Sequence, residues 1–130
     1  MPRRYPSGCL HCYDRSKVIE GYAQVTFMIG TEEAAREVAR IAVEQRKAAC
    51  ASVASGPVYS QFWWEGRIDN TTEWMVVAKT TAALVEDLVA LIKSHHTDDT
   101  PDITVTPIVG GFARYLEWVE AETSAGEPAS

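Results

Sequence analysis

Residues 58–80 constrain this chain more than any other stretch of it. Val58–Trp64 and Arg67–Thr80 are rich in β-branched and aromatic residues, and Glu65-Gly66 between them is a two-residue turn signal. Such runs around a glycine-containing turn read as a β-hairpin. Trp74-Met75-Val76-Val77-Ala78 forms the apolar centre of the returning strand. The hairpin is too long for a compact sandwich built from 130 residues. Its excess length leaves strand edges whose N–H and C=O groups find no partner within one small domain. The chain is therefore expected to associate with other copies of itself.

The stretches around the hairpin switch period repeatedly. In Ala23–Ile29, Val25, Phe27 and Ile29 alternate, which predicts a strand. Thr31 then caps a helix, with Glu32 and Glu33 in the first turn where the helix dipole favours acids. Ala35, Val38, Ala39, Ala42 and Val43 form the stripe this helix would bury. Cys50–Ser55 reads as a second strand, and Gly56-Pro57 bends the chain before the hairpin. Val85, Leu88, Val89 and Ile92 mark a second helix, and Pro101 closes the loop after it. Ile103–Val109 is a further strand, with Pro107 placing it at a sheet edge or a bulge. Phe112, Tyr115, Leu116 and Val119 outline a short last helix. The order is β-α-β-β-α-β plus a terminal helix, an α+β chain of the ferredoxin-like kind. That arrangement puts both main helices on one face of an antiparallel sheet. Residues 1–19 are aperiodic and read as a flexible leader, residues 20–122 as the domain, and residues 123–130 as a flexible tail.

Composition narrows the function. Hydrophobic residues make up 46% and charged residues 23% of the chain, as in a globular protein. The net charge of −6 is uneven: residues 1–17 carry Arg3, Arg4, Arg15 and Lys17 against Asp14, a balance of +3, which leaves −9 for the remainder. An acidic body repels phosphate backbones, which argues against nucleic acid, and attracts cations. The longest apolar runs fall far short of the roughly 20 residues that cross a membrane, so no membrane partner is expected. The basic start lacks the apolar stretch of a signal peptide. With three cysteines, an odd count, the chain suits a reducing, cytoplasmic setting.

Five motifs follow one another with consistent spacing: Arg46-Lys47-Ala48-Ala49-Cys50, Trp64-Glu65-Gly66-Arg67-Ile68, Glu73 with Lys79-Thr80-Thr81, Pro101-Asp102-Ile103 with Pro107-Ile108-Val109, and Gly111 with Tyr115-Leu116-Glu117-Trp118. Together they resemble the CutA divalent-ion tolerance family, over about Val25 to Val119. The resemblance implies a ferredoxin-like homotrimer with an architecture similar to PII signalling proteins, and a link to tolerance of divalent cations, copper especially. It also implies a cleft between subunits, to which Trp64, Glu65, Lys79 and Trp118 would contribute. Three positions differ from the pattern: His96-Thr97-Asp98-Asp99 stands where family members often have His-Pro-Tyr-Glu, Phe62 where a tyrosine is common, and Ser52 where an asparagine is common.

Two readings stand for each chemistry-bearing residue. Cys50 is a small buried side chain or a soft copper ligand. Lys79 is a strand-end charge that snorkels to water, or the cation of the cleft, pairing with Glu65 or holding an anion. His95 and His96 complement the dipole at a helix C-terminus, but His96 with Asp98, Asp99 and Asp102 also offers imidazole and carboxylate donors suited to a divalent ion. Metal binding by the body is expected to depend on His96 more than on Cys50, because a buried thiol must first lose its proton. Cys9-Leu10-His11-Cys12 offers thiolate and imidazole, yet no further pair of ligands lies nearby to complete a zinc site. The four tryptophans suit core and interface packing. No serine elbow, phosphate loop or HExxH motif is present, so no enzyme activity and no obligatory cofactor is expected. The expected function is a trimeric cytosolic binding protein linked to divalent metal ions. The alternative is a PII-like regulator that binds a nucleotide or other small anion between subunits.

Overall fold

The computed structural model describes residues 21–124. The expected leader, with Cys9-Leu10-His11-Cys12, and residues 125–130 of the expected tail lie outside the described residues. Strand β1 (Tyr22–Ile29) alternates strictly, with Ala23, Val25, Phe27 and Ile29 turned inward. Helix α1 (Glu32–Glu44) begins where the Thr31 hydroxyl accepts the Ala34 N–H at 3.0 Å, satisfying one of the free donors of a helix start. It buries Ala35, Val38, Ala39 and Ala42, side chains small enough for the helix to lie close on the sheet. Val43, expected in that stripe, is 38% exposed beside the sheet edge. The helix ends at a turn in which Arg46 takes a left-handed φ of 60°.

The chain then forms β2 (Cys50–Val53), β3 (Val58–Trp64) and β4 (Arg67–Thr81). A single 3-10 turn at Ala82–Leu84 leads into α2 (Val85–Ser94), followed by β5 (Ile103–Ile108) and α3 (Ala113–Ser124). The sheet order is β2-β4-β1-β5, every neighbouring pair antiparallel, with β3 joined only to β4. This is the ferredoxin-like layout expected from the element order. Pro107 lies on β5, an edge of the sheet, where a missing N–H costs no internal bond.

Strand β4 serves two partnerships. Its inner half, Trp74–Thr81, lies between β1 and β2, whereas its outer half, Arg67–Glu73, pairs with β3 alone. The hairpin therefore extends past the end of β1. At its tip Trp64 pairs with Arg67, and Glu65 and Gly66 both take positive φ, 50° and 81°, as a two-residue primed turn requires.

The core lies on one face, where Val25, Phe27, Val76 and Ala78 meet Val38 of α1 and Leu88 and Ile92 of α2. Burying a side chain such as Phe27 or Leu88 contributes about 1.5–3 kcal/mol. Helix α3 crosses the opposite face and continues to Ser124. Thr123 is only 6% exposed, and its hydroxyl donates to the Val119 carbonyl at 2.9 Å. Helix α3 thus continues past residue 122, with the Thr123 hydroxyl satisfied within the helix.

Candidate functional site

The open face of the sheet is built row by row from strand register. Cys50 stands opposite Lys79, Lys79 opposite Gln24, and Gln24 opposite Thr106. Directly paired residues share a face, with Cβ atoms about 4.5–5.5 Å apart. The next row toward the helix-crossing end is Thr81, Tyr22 and Ile108, and the next on the other side is Ser52, Val77, Thr26 and Thr104. Across these rows Lys79 is the single charged residue, and among the described residues it makes no ion pair.

Helix α3 lies over part of this face and is tied to the body at three points. The Tyr115 hydroxyl is 3.3 Å from Cys50 Sγ. The Tyr22 hydroxyl donates to Glu120 at 3.0 Å, and Arg46 Nη1 bonds the Glu122 carboxylate at 2.7 Å and its carbonyl at 2.9 Å. The Tyr115 ring packs against Trp118, with centroids 5.5 Å apart and planes inclined at 32°. The hydrogen bond with Cys50, reinforced by burial, favours the neutral phenol and raises the Tyr115 pKa to about 12. The Glu120 carboxylate, accepting the phenol proton of Tyr22, raises that pKa too.

Of the residues expected in a cleft, Cys50, Lys79 and Trp118 thus gather around Tyr115. Trp64 and Glu65 do not join them within one chain. They occupy the hairpin turn, and from Arg67 to Lys79 the strand runs roughly 40 Å at about 3.3 Å per residue. Tyr115 itself was expected only as part of the last helix and of the motif Tyr115-Leu116-Glu117-Trp118. Nothing local in the sequence places its hydroxyl on Cys50, because that pairing joins the last helix to the second strand.

The geometry does not bring the expected metal group together among the described residues. His96 bonds the backbone of Met28, four residues further along β1 than Gln24, which itself stands in the row of Cys50. The His96 side chain is 2% exposed and both of its nitrogens are engaged: Nε2–H donates to the Met28 carbonyl at 2.7 Å, and Nδ1 accepts the Asp98 N–H at 3.1 Å. A ring committed in this way has no lone pair to give a metal ion. Asp98 keeps its carboxylate 4.0 Å from Nδ1, Asp99 is exposed, and Asp102 is exposed with its carbonyl accepting the Met28 N–H. Among the described residues no three His, Cys, Asp or Glu side chains form a group able to hold a metal ion. A resident metal site therefore does not fit the described residues of a single chain.

Residues 23–122 match the family model described as CutA1 divalent ion tolerance protein. The chain belongs to this family. Its relatives include the chloroplastic protein CutA 1 of Oryza sativa subsp. japonica, 32% identical over 73% of this chain and 53% of that protein. The divalent-cation tolerance protein CutA of Salmonella newport is 33% identical over 69% of this chain and 77% of that protein. The chain spans only 53% and 63% of the length of the rice and Arabidopsis thaliana relatives. Among solved structures, CutA1 of Thermus thermophilus is similar with a TM-score of 0.75 at 30% identity, covering 78% of this chain and 97% of its own. The periplasmic CutA of Archaeoglobus fulgidus also gives a TM-score of 0.75, at 28% identity, covering 78% of this chain and 98% of its own. Among the described residues no helix of this CutA-family chain is long and apolar enough to cross a membrane.

Proposed function

We propose that the chain is a homotrimeric cytoplasmic binding protein, without enzymatic activity, through which tolerance of divalent cations, copper in particular, is exercised. The observation that carries the reading is the projecting hairpin. Beyond Glu73 it has no strand on its outer β4 edge, and it exposes Tyr59 at 63%, Trp63 at 72%, Trp64 at 56% and Ile68 at 59%. Open edges and exposed large aromatics on one element favour pairing with another chain. The far edge of the sheet suits such an element. There β2 has no partner on its outer side among the described residues, and an open groove runs between it and α1, lined by Ala39, Val43, Ala51 and Val53 together with the charged Arg36, Arg40 and Glu44.

Assembly also answers the geometry of the site. One chain separates Trp64 and Glu65 from Lys79 and Trp118, whereas a neighbouring copy's hairpin tip reaches beyond its own domain. The sequence-matched relatives carry the words divalent-cation tolerance in their names, which supports cations as the cargo. Because the described residues of a single chain offer no metal group, donors for such an ion would come from more than one copy, with Cys50 the free thiol that each copy contributes from its described residues.

Light scattering combined with copper(II) calorimetry tests the proposal. The expected result is a particle of three chains that binds copper in a manner weakened by Cys50→Ser and insensitive to the charge of the Asp98–Asp99 loop. A monomer at micromolar concentration, or a trimer that takes up no divalent ion, overturns it.

A further inference from the structure

Between the start of β1, the 3-10 turn and the last turns of α3 runs a groove of about 480 Å³, to which neither Cys50 nor Lys79 contributes. One wall is apolar, with Ala82 buried and Leu84 half-buried. On the other wall Glu120 is the one charged side chain among the described residues that line the groove. Glu117 stands one turn earlier on α3 and adds its field. The Tyr22 pKa is raised by the hydrogen bond to Glu120, then by burial and by the charges of Glu120 and Glu117. Gly21 closes one end of the groove. Its carbonyl accepts the Ala82 N–H at 2.8 Å, and its φ of 96° is a left-handed turn that suits glycine. The residue before Gly21 is bonded to this wall, so the chain enters the domain beside the groove.

We propose that the groove is a docking site for residues 15–19 of the same chain, with Val18 and Ile19 against Leu84, and Arg15 and Lys17 toward Glu117 and Glu120. The chemistry of the two sides matches: two cations and an apolar pair precede Gly21, and the groove offers two carboxylates and an apolar wall. Residues 1–17 carry a balance of +3 in a chain whose net charge is −6. Lys17 stands four residues before Gly21 and Arg15 six, and an extended chain gives them a reach of about 13 and 20 Å. A tether this short holds the segment at an effective concentration on the order of millimolar, so a weak contact suffices. Exposed ion pairs contribute little by themselves. The charges therefore set the direction of docking, and Val18 and Ile19 supply the burial that keeps it. The contact fastens the end of α3 to the body, whether or not copies assemble or a divalent ion binds.

The test is nuclear magnetic resonance on the full chain at low salt, reading contacts between the Ile19 and Leu84 methyl groups and amide exchange in the last turns of α3. Ile19–Leu84 contacts are expected, unchanged on dilution. Ile19→Asp is expected to abolish them and to speed exchange in those turns about tenfold. Lys17→Glu is expected to weaken the contacts, and Lys17→Glu combined with Glu117→Lys to restore them. Far-ultraviolet circular dichroism verifies that each variant is folded. Should Ile19→Asp still fail to fold, the charge-reversal pair carries the test. Absence of the contacts, or exchange at the end of α3 indifferent to both Ile19→Asp and Lys17→Glu, overturns the proposal. Contacts that fade on dilution overturn it as well, because the occupant is then another copy. Failure of the reversed pair to restore contacts overturns the pairing with Glu117.

Discussion

A histidine beside three aspartates looks like a ligand, and His96 shows why that appearance misleads. Its donors and acceptors are already spent on the backbone of Met28 and Asp98, so it acts as a latch between the end of β1 and the loop that follows α2. Because the Met28 carbonyl can only accept and the Asp98 N–H can only donate, both bonds are made together by the tautomer that carries its proton on Nε2. His96→Ala leaves both backbone groups without their side-chain partner and is expected to cost about 1–3 kcal/mol in urea unfolding, with copper affinity unchanged. A loss of copper affinity with stability intact would restore the ligand role. Tyr115 supplies a second prediction. Its pKa of about 12 exceeds the usual value of 10.0, so the unfolded chain releases this proton first as pH rises. The stabilisation from its neutral bond to Cys50 is complete below pH 10 and falls through the window up to about pH 12. In Cys50→Ala, ultraviolet titration should show that phenol ionising at lower pH; an unchanged titration would mean that burial alone holds it.

At the level of elements, the hairpin turn holds two residues in left-handed backbone. Glu65 occupies a conformation that a glycine or asparagine would adopt more readily. Gly66 sits at φ 81° with open space where a Cβ would be, so Gly66→Ala costs backbone strain and no clash. The expected loss is about 1–2 kcal/mol, read as a lower melting temperature, with Glu65→Gly neutral or slightly stabilising. Equal effects from both substitutions would mean that the tip contributes little to stability. This turn was legible in the sequence because its determinant, a glycine between two β-rich runs, is local. The same holds for the Thr31 cap, the inward alternation of β1 and the stripe of α2. What escaped reading depends on partners distant in sequence. Val43 lies on the right helical face, yet the sheet ends at β2 and leaves it half uncovered. Thr123 looks like part of a polar tail until its hydroxyl closes on Val119. The Cys50–Tyr115 contact joins positions 65 residues apart, and no periodicity reports it.

For the whole molecule, the outer half of the hairpin carries the proposed assembly, and one pair tests it. Trp63 and Ile68 face each other across the strands at 72% and 59% exposure. Replacing both with aspartate removes apolar area that only another chain could cover, and sets like charges opposite each other. The expected outcome in light scattering is a shift from three chains per particle to one, with secondary structure retained. An unchanged mass would show that copies meet elsewhere. A consequence follows from β4 being one continuous strand, its inner half in the core and its outer half extending past the end of β1. Whatever a neighbour gives to the outer half is transmitted by the same backbone to the inner half, so holding the tip also holds the core. In the proposed assembly, resistance to heat then belongs to the population and not to the single chain: by mass action, the melting temperature is expected to rise with protein concentration, and dilution alone to soften the fold.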